Sequence, residues 1–494
     1  MPRRRLGGIG PALSDPGCYL VCLMKTKLQL DYPAILANTA RPVHLALTFD
    51  APEITGARDK PVAFVAVIDR SGSMDGAPLE GAKLAVQTVL RNLRRGDYFG
   101  LVAFDNEART LLPLATDRDR TAAEQVVAGL SAQGSTNLAG GWSLGRDLLS
   151  EAPESCPRKL LLLTDGQLNV GITEPALVRQ LVSDGVEKGR IRTSCLGFGE
   201  GYSDYLLREL AKATNGEFHD AAKPESLPEI FRKELDGLQS IVVQNLRVRV
   251  RPGGFVENFA LLGDYGTALT SDGWHEFAIG DLVSGEQRVV VFELNVLAIP
   301  LLEGGQPAAT WDGESLVEIE IRCDVISAAG VEVRKEKHTV KVRPVQSPED
   351  VQVDTQVLPW VSLQAAARAV ERSVAARDAG DVDGARSLLN EELARIESQP
   401  ASPLVDDARN LLRSTLVGME DEADYFGRSR KMALSSKMAF SRGSSFDHTV
   451  SESGMTPSFK RARERKPSPS PTQTPIQLPD TPPASTERSA GEGI

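Results

Sequence analysis

A chain of 494 residues, 41% hydrophobic and 25% charged, has room for two to four domains of about 100–200 residues each. Its composition is that of an ordinary folded protein and excludes a collagen-like or wholly disordered one, and no apolar run approaches the ~18 residues that span a bilayer. The net charge of −11 is uneven: residues 427–494 carry eleven Lys/Arg against six Asp/Glu, while Met24 to Phe426 carries −18, which argues against a nucleic-acid-binding core.

The start, Met1-Pro2-Arg3-Arg4-Arg5, is basic but is followed by Gly and Pro rather than the apolar stretch of a leader. Residues 1–24 read as a disordered tail, with Cys18 and Cys22 lacking a second Cys/His pair for a metal. The five cysteines are odd in number and scattered, which is no disulfide framework and reads as a cytoplasmic protein. Over 25–59, Lys27–Tyr32 and Val43–Phe49 alternate apolar and polar residues, as half-buried antiparallel strands do.

From 60 to 240 the pattern changes. Val62–Ile68 is nearly all apolar, as a parallel strand covered on both faces should be. Helical spacing follows over Pro78–Leu93, then a strand over Tyr98–Phe104, helices over Ala122–Leu130 and Leu138–Leu149, and a second buried strand over Lys159–Thr164. Helix Pro175–Gly185, strand Ile191–Phe198, helix Tyr205–Ala213, short strand Gly216–His219 and helix Glu225–Leu238 complete the series. Strands alternating with helices predict an α/β, doubly wound, mainly parallel sheet. Residues 241–346 hold long strand-like segments, among them Val243–Val250, Gln287–Leu297, Ser315–Val325 and Gly330–Val342, and read as an all-β sandwich that takes in the strands of 25–59. The α/β domain is then an insertion into the sandwich. Residues 355–426 form a C-terminal helical segment with helices over Val361–Ala379, Asp381–Ser398 and Pro403–Asp424. Residues 441–494 are Ser/Pro/Thr-rich and too poor in apolar residues to fold. They carry the basic run Lys460–Lys466 and five Ser/Thr-Pro pairs (Thr456, Ser468, Ser470, Thr474 and Thr481), which mark a candidate phosphorylation region.

The residues that carry chemistry sit where the buried strands end. Asp69 directly follows Ile68, at the carboxyl edge where open α/β sheets bind ligands. Ser71 and Ser73, two apart, can turn their hydroxyls the same way around Gly72. The second buried strand ends in Thr164-Asp165-Gly166, and Gly134-Ser135-Thr136-Asn137 leads into a helix between them. Two carboxylates and three hydroxyls converging on one rim are all hard oxygen donors, without His or Cys. Such a set selects Mg²⁺, Mn²⁺ or Ca²⁺ over zinc or copper, with Mg²⁺ favoured. Taken singly, the serines also read as caps of the following helix and Thr-Asp-Gly as a turn. Asp105 and Asn106, just after Tyr98–Phe104, are either groups supporting the same rim or a hairpin turn.

Asp69-x-Ser71-x-Ser73, Thr136 and Asp165 together resemble the metal-ion-dependent adhesion site of von Willebrand factor type A domains, over about a third of the chain. The resemblance implies a Rossmann-like domain that binds a divalent cation through Asp69, Ser71, Ser73 and Thr136, with Asp165 acting partly through water, and binds an acidic side chain of a partner protein through that cation. The wider layout is similar to uncharacterised bacterial proteins with this domain and to plant ones that add a RING finger, whose cysteines are missing here. The expected function is a non-enzymatic protein-interaction module. An accessory subunit of a membrane transporter or channel complex is the alternative.

Enzyme chemistry lacks support in the sequence. A nucleophilic Ser71 needs a His base, and His44, His219, His275, His338 and His448 lie in strands, loops or the tail, His219 with no evident partner. Gly76-x-x-x-x-Gly81-Ala82-Lys83 mimics a phosphate loop but lacks the Lys-Ser/Thr pair. Trp142 and Trp274 read as packing residues, Trp142 alternatively as a contact anchor beside the rim.

Overall fold

The computed structural model describes residues 24–441 apart from 54–60, 155, 167–169, 171–173, 175, 178–179, 181–190, 200, 222, 264, 301–312, 328–329, 420–424 and 426–428. Both expected tails, but for Met24 and Ser441, and most of the expected helix Pro175–Gly185 lie outside the described residues.

The chain opens with strands β1 (Lys25–Leu30), β2 (Ala34–Leu36) and β3 (Arg41–Asp50). It then leaves for an α/β domain of β4 (Ala63–Asp69), α1 (Ala77–Asn92), β5 (Tyr98–Phe104), β6 (Ala108–Ala115), α2 (Arg120–Ala128), α3 (Leu138–Ser150), β7 (Arg158–Thr164), β8 (Arg192–Phe198), α4 (Asp204–Ala213), β9 (Phe218–Ala221) and α5 (Leu227–Gln239). It returns through β10 (Ile241–Pro252), β11 (Val256–Leu261), β12 (Gly266–Leu269), β13 (His275–Val283), β14 (Gln287–Val296), β15 (Glu314–Ser327) and β16 (Gly330–Val345), and continues into α6 (Leu358–Asp378), α7 (Val382–Glu397), α8 (Pro403–Gly418) and α9 (Arg430–Ser441).

The α/β sheet has the order β6-β5-β4-β7-β8-β9. All pairings are parallel except β5 with the edge strand β6. The sequence pattern missed β6, whose exposed Pro113 and single buried residue, Leu112, suit an edge strand. β4 is buried along its whole length because it is covered twice. Phe64, Ala66 and Ile68 enter the core with α1 and α5, while Ala63, Val65 and Val67 enter the one with α3 and α4. That explains an unbroken apolar run, each large residue of which contributes about 1.5–3 kcal/mol over exposure. The chain runs from β4 to β5 on one side, and β7 lies on the other. The carboxyl ends of β4 and β7 therefore flank a topological switch point, where open sheets place ligands.

The sandwich consists of a four-stranded sheet, β1-β3-β14-β11, facing a six-stranded one, β12-β13-β10-β15-β16-β2. Alternation does its work here: Val43, Leu45, Leu47 and Phe49 of β3 point into one core with Val248, Val250, Ile319 and Ile321 of the opposite sheet. The two crossings into the α/β domain meet on a single turn, where Ala51 N–H donates to the Glu286 carbonyl (2.8 Å), Gly285 N–H to that of Pro52 (3.1 Å) and Ser284 N–H to that of Ser240 (2.8 Å). The ends of the inserted domain are clasped by buried Asp97. It accepts from Val62 N–H (3.0 Å) and Arg94 N–H (2.9 Å), and from Gln239 Nε2 at 2.7 Å.

The helical segment packs on both partners. Val357, Trp360 and Val361 cover Ala46, Val289 and Val291 on the outer face of the four-stranded sheet. Helix α9, which the sequence pattern did not mark, lies against β9, with Ser435 Oγ donating to the Phe218 carbonyl at 3.4 Å. Its Arg430 bridges Asp204 of the α/β domain (2.5 Å) and Asp378 of α6 (2.7 Å). A helix over β9 shields an edge strand of the parallel sheet.

Candidate metal centre

The five oxygen-bearing residues singled out in the sequence come from three loops at the carboxyl ends of the parallel strands. Asp69 ends β4, fully buried, with its Oδ1 accepting the Ser71 N–H at 2.8 Å and its Oδ2 accepting the Thr164 hydroxyl at 2.5 Å. The Ser71 and Ser73 hydroxyls lie 3.2 Å apart, and Ser73 Oγ donates to Asp165 Oδ1 at 2.8 Å. Thr136 is buried beside the turn after β7, close enough that a Cβ on Gly166 would sit 2.9 Å from its hydroxyl. The structure thus brings all five to one rim: Asp69 and Thr136 buried, Ser71 beneath the surface, Ser73 exposed and Asp165 between these extremes.

Thr164 is the contact that sequence reasoning left without a role. The register carries the signal, since Ile68 pairs with Leu163 and places the next residues, Asp69 and Thr164, side by side.

Asp105 and Asn106 satisfy both readings offered for them. They form the turn into antiparallel β6, and because β5 runs parallel to β4 with Phe104 beside Asp69, the turn lands at the rim. Buried Asp105 accepts from Arg70 Nη2 at 2.6 Å, Gln133 Nε2 at 3.0 Å and Glu107 N–H at 2.9 Å. Its carbonyl accepts the Asn137 N–H at 2.8 Å. Burial alone would raise its carboxyl pKa, but the Glu107 amide, Gln133 and Arg70 together hold it below the usual range. Asn106 Oδ1 accepts the Ser135 N–H at 2.9 Å, and Gly134 takes a positive φ of 69° against it. Backbone bonds join the same loops directly, from Gln133 N–H to the Arg70 carbonyl (2.8 Å) and from Gly72 N–H to the Gly134 carbonyl (3.0 Å).

The electrostatics fit a bound cation. Desolvation pushes the Asp69 carboxyl up to about 6, against the Thr164 and Ser71 hydrogen bonds that favour its charged form, and Asp165 adds like charge. Burial raises Asp165 too. Among the described residues no Lys or Arg pairs with either carboxylate. Two carboxylates held together without a counter-charge, ringed by hydroxyls, form a donor set for a hard divalent ion.

The remaining sequence candidates go elsewhere. Trp142 is buried and its Nε1 donates to Thr193 Oγ1 at 3.0 Å, so it packs and is no contact anchor. Trp274 lies under the Arg249 and Arg251 guanidinium groups. The expectation that His219 lacks a partner is corrected: its Nε2 lies 2.5 Å from Glu234 Oε1. Glu234 also holds Lys159 and Ser194, and despite its burial Lys159 and His219 keep its carboxyl well below the ordinary range. The phosphate-loop mimic lies at the start of α1, where Lys83 pairs with Glu80 at 2.7 Å.

The sequence profile of the von Willebrand factor type A domain matches residues 64–233. An uncharacterized protein of Synechocystis is 25% identical over 345 residues, covering 67% of this chain and 78% of that protein. Bovine inter-alpha-trypsin inhibitor heavy chain H1 is 34% identical over 190 residues, covering 35% of this chain but only 21% of its own length. The solved structure of a von Willebrand factor type A protein from Catenulispora acidiphila superposes with a TM-score of 0.63 at 19% identity, covering 85% of this chain and 97% of that one. The ArnB paralog VWA2 from Sulfolobus acidocaldarius gives 0.54 at 14% identity, covering 85% and 98%. Both superpositions extend well beyond the α/β domain, so the fold they share includes its surroundings.

Proposed function

With residues 64–233 established as a von Willebrand factor type A domain, we propose that the chain is a non-enzymatic interaction protein that uses a divalent cation, preferably Mg²⁺, to hold an acidic side chain of a partner protein. The carrying observation is the joined set of Asp69, Ser71, Ser73 and Asp165 oxygens, with Thr136 beside them, around two carboxylates that no described cation neutralises. When bound, the ion would supply a positive centre with an exchangeable position for a carboxylate oxygen. The protein's own part is to fix five oxygen-bearing side chains at one rim before the ion arrives, from buried Asp69 and Thr136 to exposed Ser73. Asp69 is held from both sides, by the Ser71 amide and the Thr164 hydroxyl, so little ordering remains to be done on binding.

A hydrolase reading finds no support in the described geometry: His219, the histidine carried by the α/β sheet, is engaged with Glu234, and Ser71 meets Ser73 and Asp69.

The test is a pull-down from the native host with wild type and Asp69→Ala, each with Mg²⁺ and with a chelator. A partner retained only by wild type with Mg²⁺ is the expected result. An identical set in all four samples would refute the metal-dependent reading.

A further inference from the structure

Strand β5 is bracketed by two buried aspartates, Asp97 at its amino end and Asp105 at its carboxyl end. Each gathers three donors on its carboxylate. Asp97 gathers Val62, Arg94 and Gln239, all at the amino side of the sheet and remote from the rim. The donors on Asp105 are different in kind. Arg70 sits between Asp69 and Ser71, and Gln133 precedes the Gly134–Thr136 turn, so one carboxylate ties the loop that carries three of the candidate oxygens to the loop that carries Thr136. The Asp105 carbonyl holds the Asn137 N–H on the far side of Thr136. The neighbouring Asn106 takes the Ser135 N–H, so Thr136 is fastened on both flanks.

We propose that Asp105, acting through Arg70 and Gln133, is a positioning residue for the metal centre: it sets the spacing between the Asp69–Ser73 loop and Thr136 without touching the ion. This rests on the metal-binding reading above. Groups that orient metal ligands from behind typically change affinity about 10–100-fold when altered. Asp105→Asn keeps the shape but removes the charge that Arg70 faces, and sets an amide N–H₂ against at least one of the donors.

The experiment is titration of the full-length protein with Mg²⁺ by calorimetry and with Mn²⁺ by electron paramagnetic resonance, beside thermal unfolding in chelator. The proteins are wild type, Asp69→Ala, Asp105→Asn, Gln133→Ala and Asp97→Asn. Expected are one ion per chain for wild type, none for Asp69→Ala, affinity about ten-fold weaker or more for Asp105→Asn, a few-fold loss for Gln133→Ala and wild-type affinity for Asp97→Asn despite a comparable drop in metal-free stability. Should Asp105→Asn not fold, Gln133→Ala against Asp97→Asn makes the same distinction. Wild-type affinity in both Asp105→Asn and Gln133→Ala would overturn the positioning role and leave the metal reading standing. An equal loss in Asp97→Asn would reduce the effect to general stability and overturn it as well. A wild type that binds no ion overturns the metal reading and this inference with it.

Discussion

Two buried aspartates at opposite ends of the parallel sheet, Asp97 and Asp69, are handled in different ways. At the amino end, every Asp97 donor is an internal one, and the carboxylate closes the inserted domain by joining the start of β4 to the end of α5. At the carboxyl end, Asp69 is just as deeply buried but sits beside a second carboxylate, and its hydrogen bonds to Thr164 and Ser71 do not offset its desolvation, so its pKa is driven up. The first arrangement serves stability. The second leaves a desolvated charge that the proposed cation would neutralise.

The largest effect should come from cutting the amino-end clasp. Asp97→Ala leaves the Val62 and Arg94 amides and the Gln239 side chain without their acceptor. A loss of about 3 kcal/mol or more in urea unfolding is expected, since each stranded buried donor costs about 1–3 kcal/mol. A loss below about 1 kcal/mol would show the clasp to be redundant.

The opposite sign is expected at the other end. Asp69→Asn keeps an acceptor for Ser71 N–H and removes the desolvated charge, so in chelator at neutral pH it should stabilise the protein by about 1–3 kcal/mol. The Mg²⁺-dependent rise in melting temperature should vanish with it. Because the folded pKa of Asp69 lies above the unfolded value, its penalty is present above about 6 and is relieved as pH falls towards the ordinary carboxyl value of 3.8. The Asp69→Asn gain should therefore shrink on acidification from pH 7.5 to 5. A gain independent of pH would sink this account of the rim.

The sandwich offers a titration of the reverse kind. Burial would lower the His44 pKa, but hydrogen bonds and charge from Asp31 and Glu293 raise it to about 9. Its folded pKa exceeds the unfolded one, so the stabilisation is full below about 6.5 and disappears as pH rises through about 9. Wild type should lose on the order of 2 kcal/mol between pH 6 and 10 relative to His44→Gln, the figure being reduced for partial exposure. Parallel curves for the two proteins would remove His44 from the balance. The smallest effect is expected for Arg430→Ala, which cuts one bridge between α9, Asp204 and Asp378. About 1 kcal/mol or less is expected globally, with faster hydrogen exchange at Phe218–Ala221 as the more sensitive readout.

The inserted α/β domain is legible in its sequence because strands alternate with helical spacing and because β4 and β7 carry unbroken apolar runs that end in the polar Asp69 and Thr164. Period-2 alternation served equally well for β3 and β10. What the sequence hid depends on partners distant along the chain. β6 looks like a loop because its Pro113 and exposed residues are those of an edge. Helix α9 mixes its apolar residues with Lys and Ser, and its place is set by Arg430, Leu434 and Ser435 meeting other elements. His219 looked isolated because Glu234 lies a helix away, and Thr164 acquires its role only once the β4–β7 register sets it beside Asp69. Asp69, Ser71, Ser73 and Asp165 could be read because they follow the ends of β4 and β7, whereas Thr136, between α2 and α3, is joined to them through the resemblance of the whole motif.

The turn where both crossings meet has a consequence for how such a chain can be taken apart. Ala51, Pro52 and Ser240 are bonded to one hairpin turn, and the first strand and last helix of the insert are gathered on one carboxylate. Entry and exit therefore lie side by side, as they do in cassettes that can be exchanged without disturbing their host. Expressed alone from Pro61 to Ser240, the α/β cassette should keep its metal response, and a sandwich whose β3 and β10 are rejoined by a short glycine-serine linker should still close its core. Recognition and scaffolding would then be separable goods, and a different binding head could be carried on the same frame.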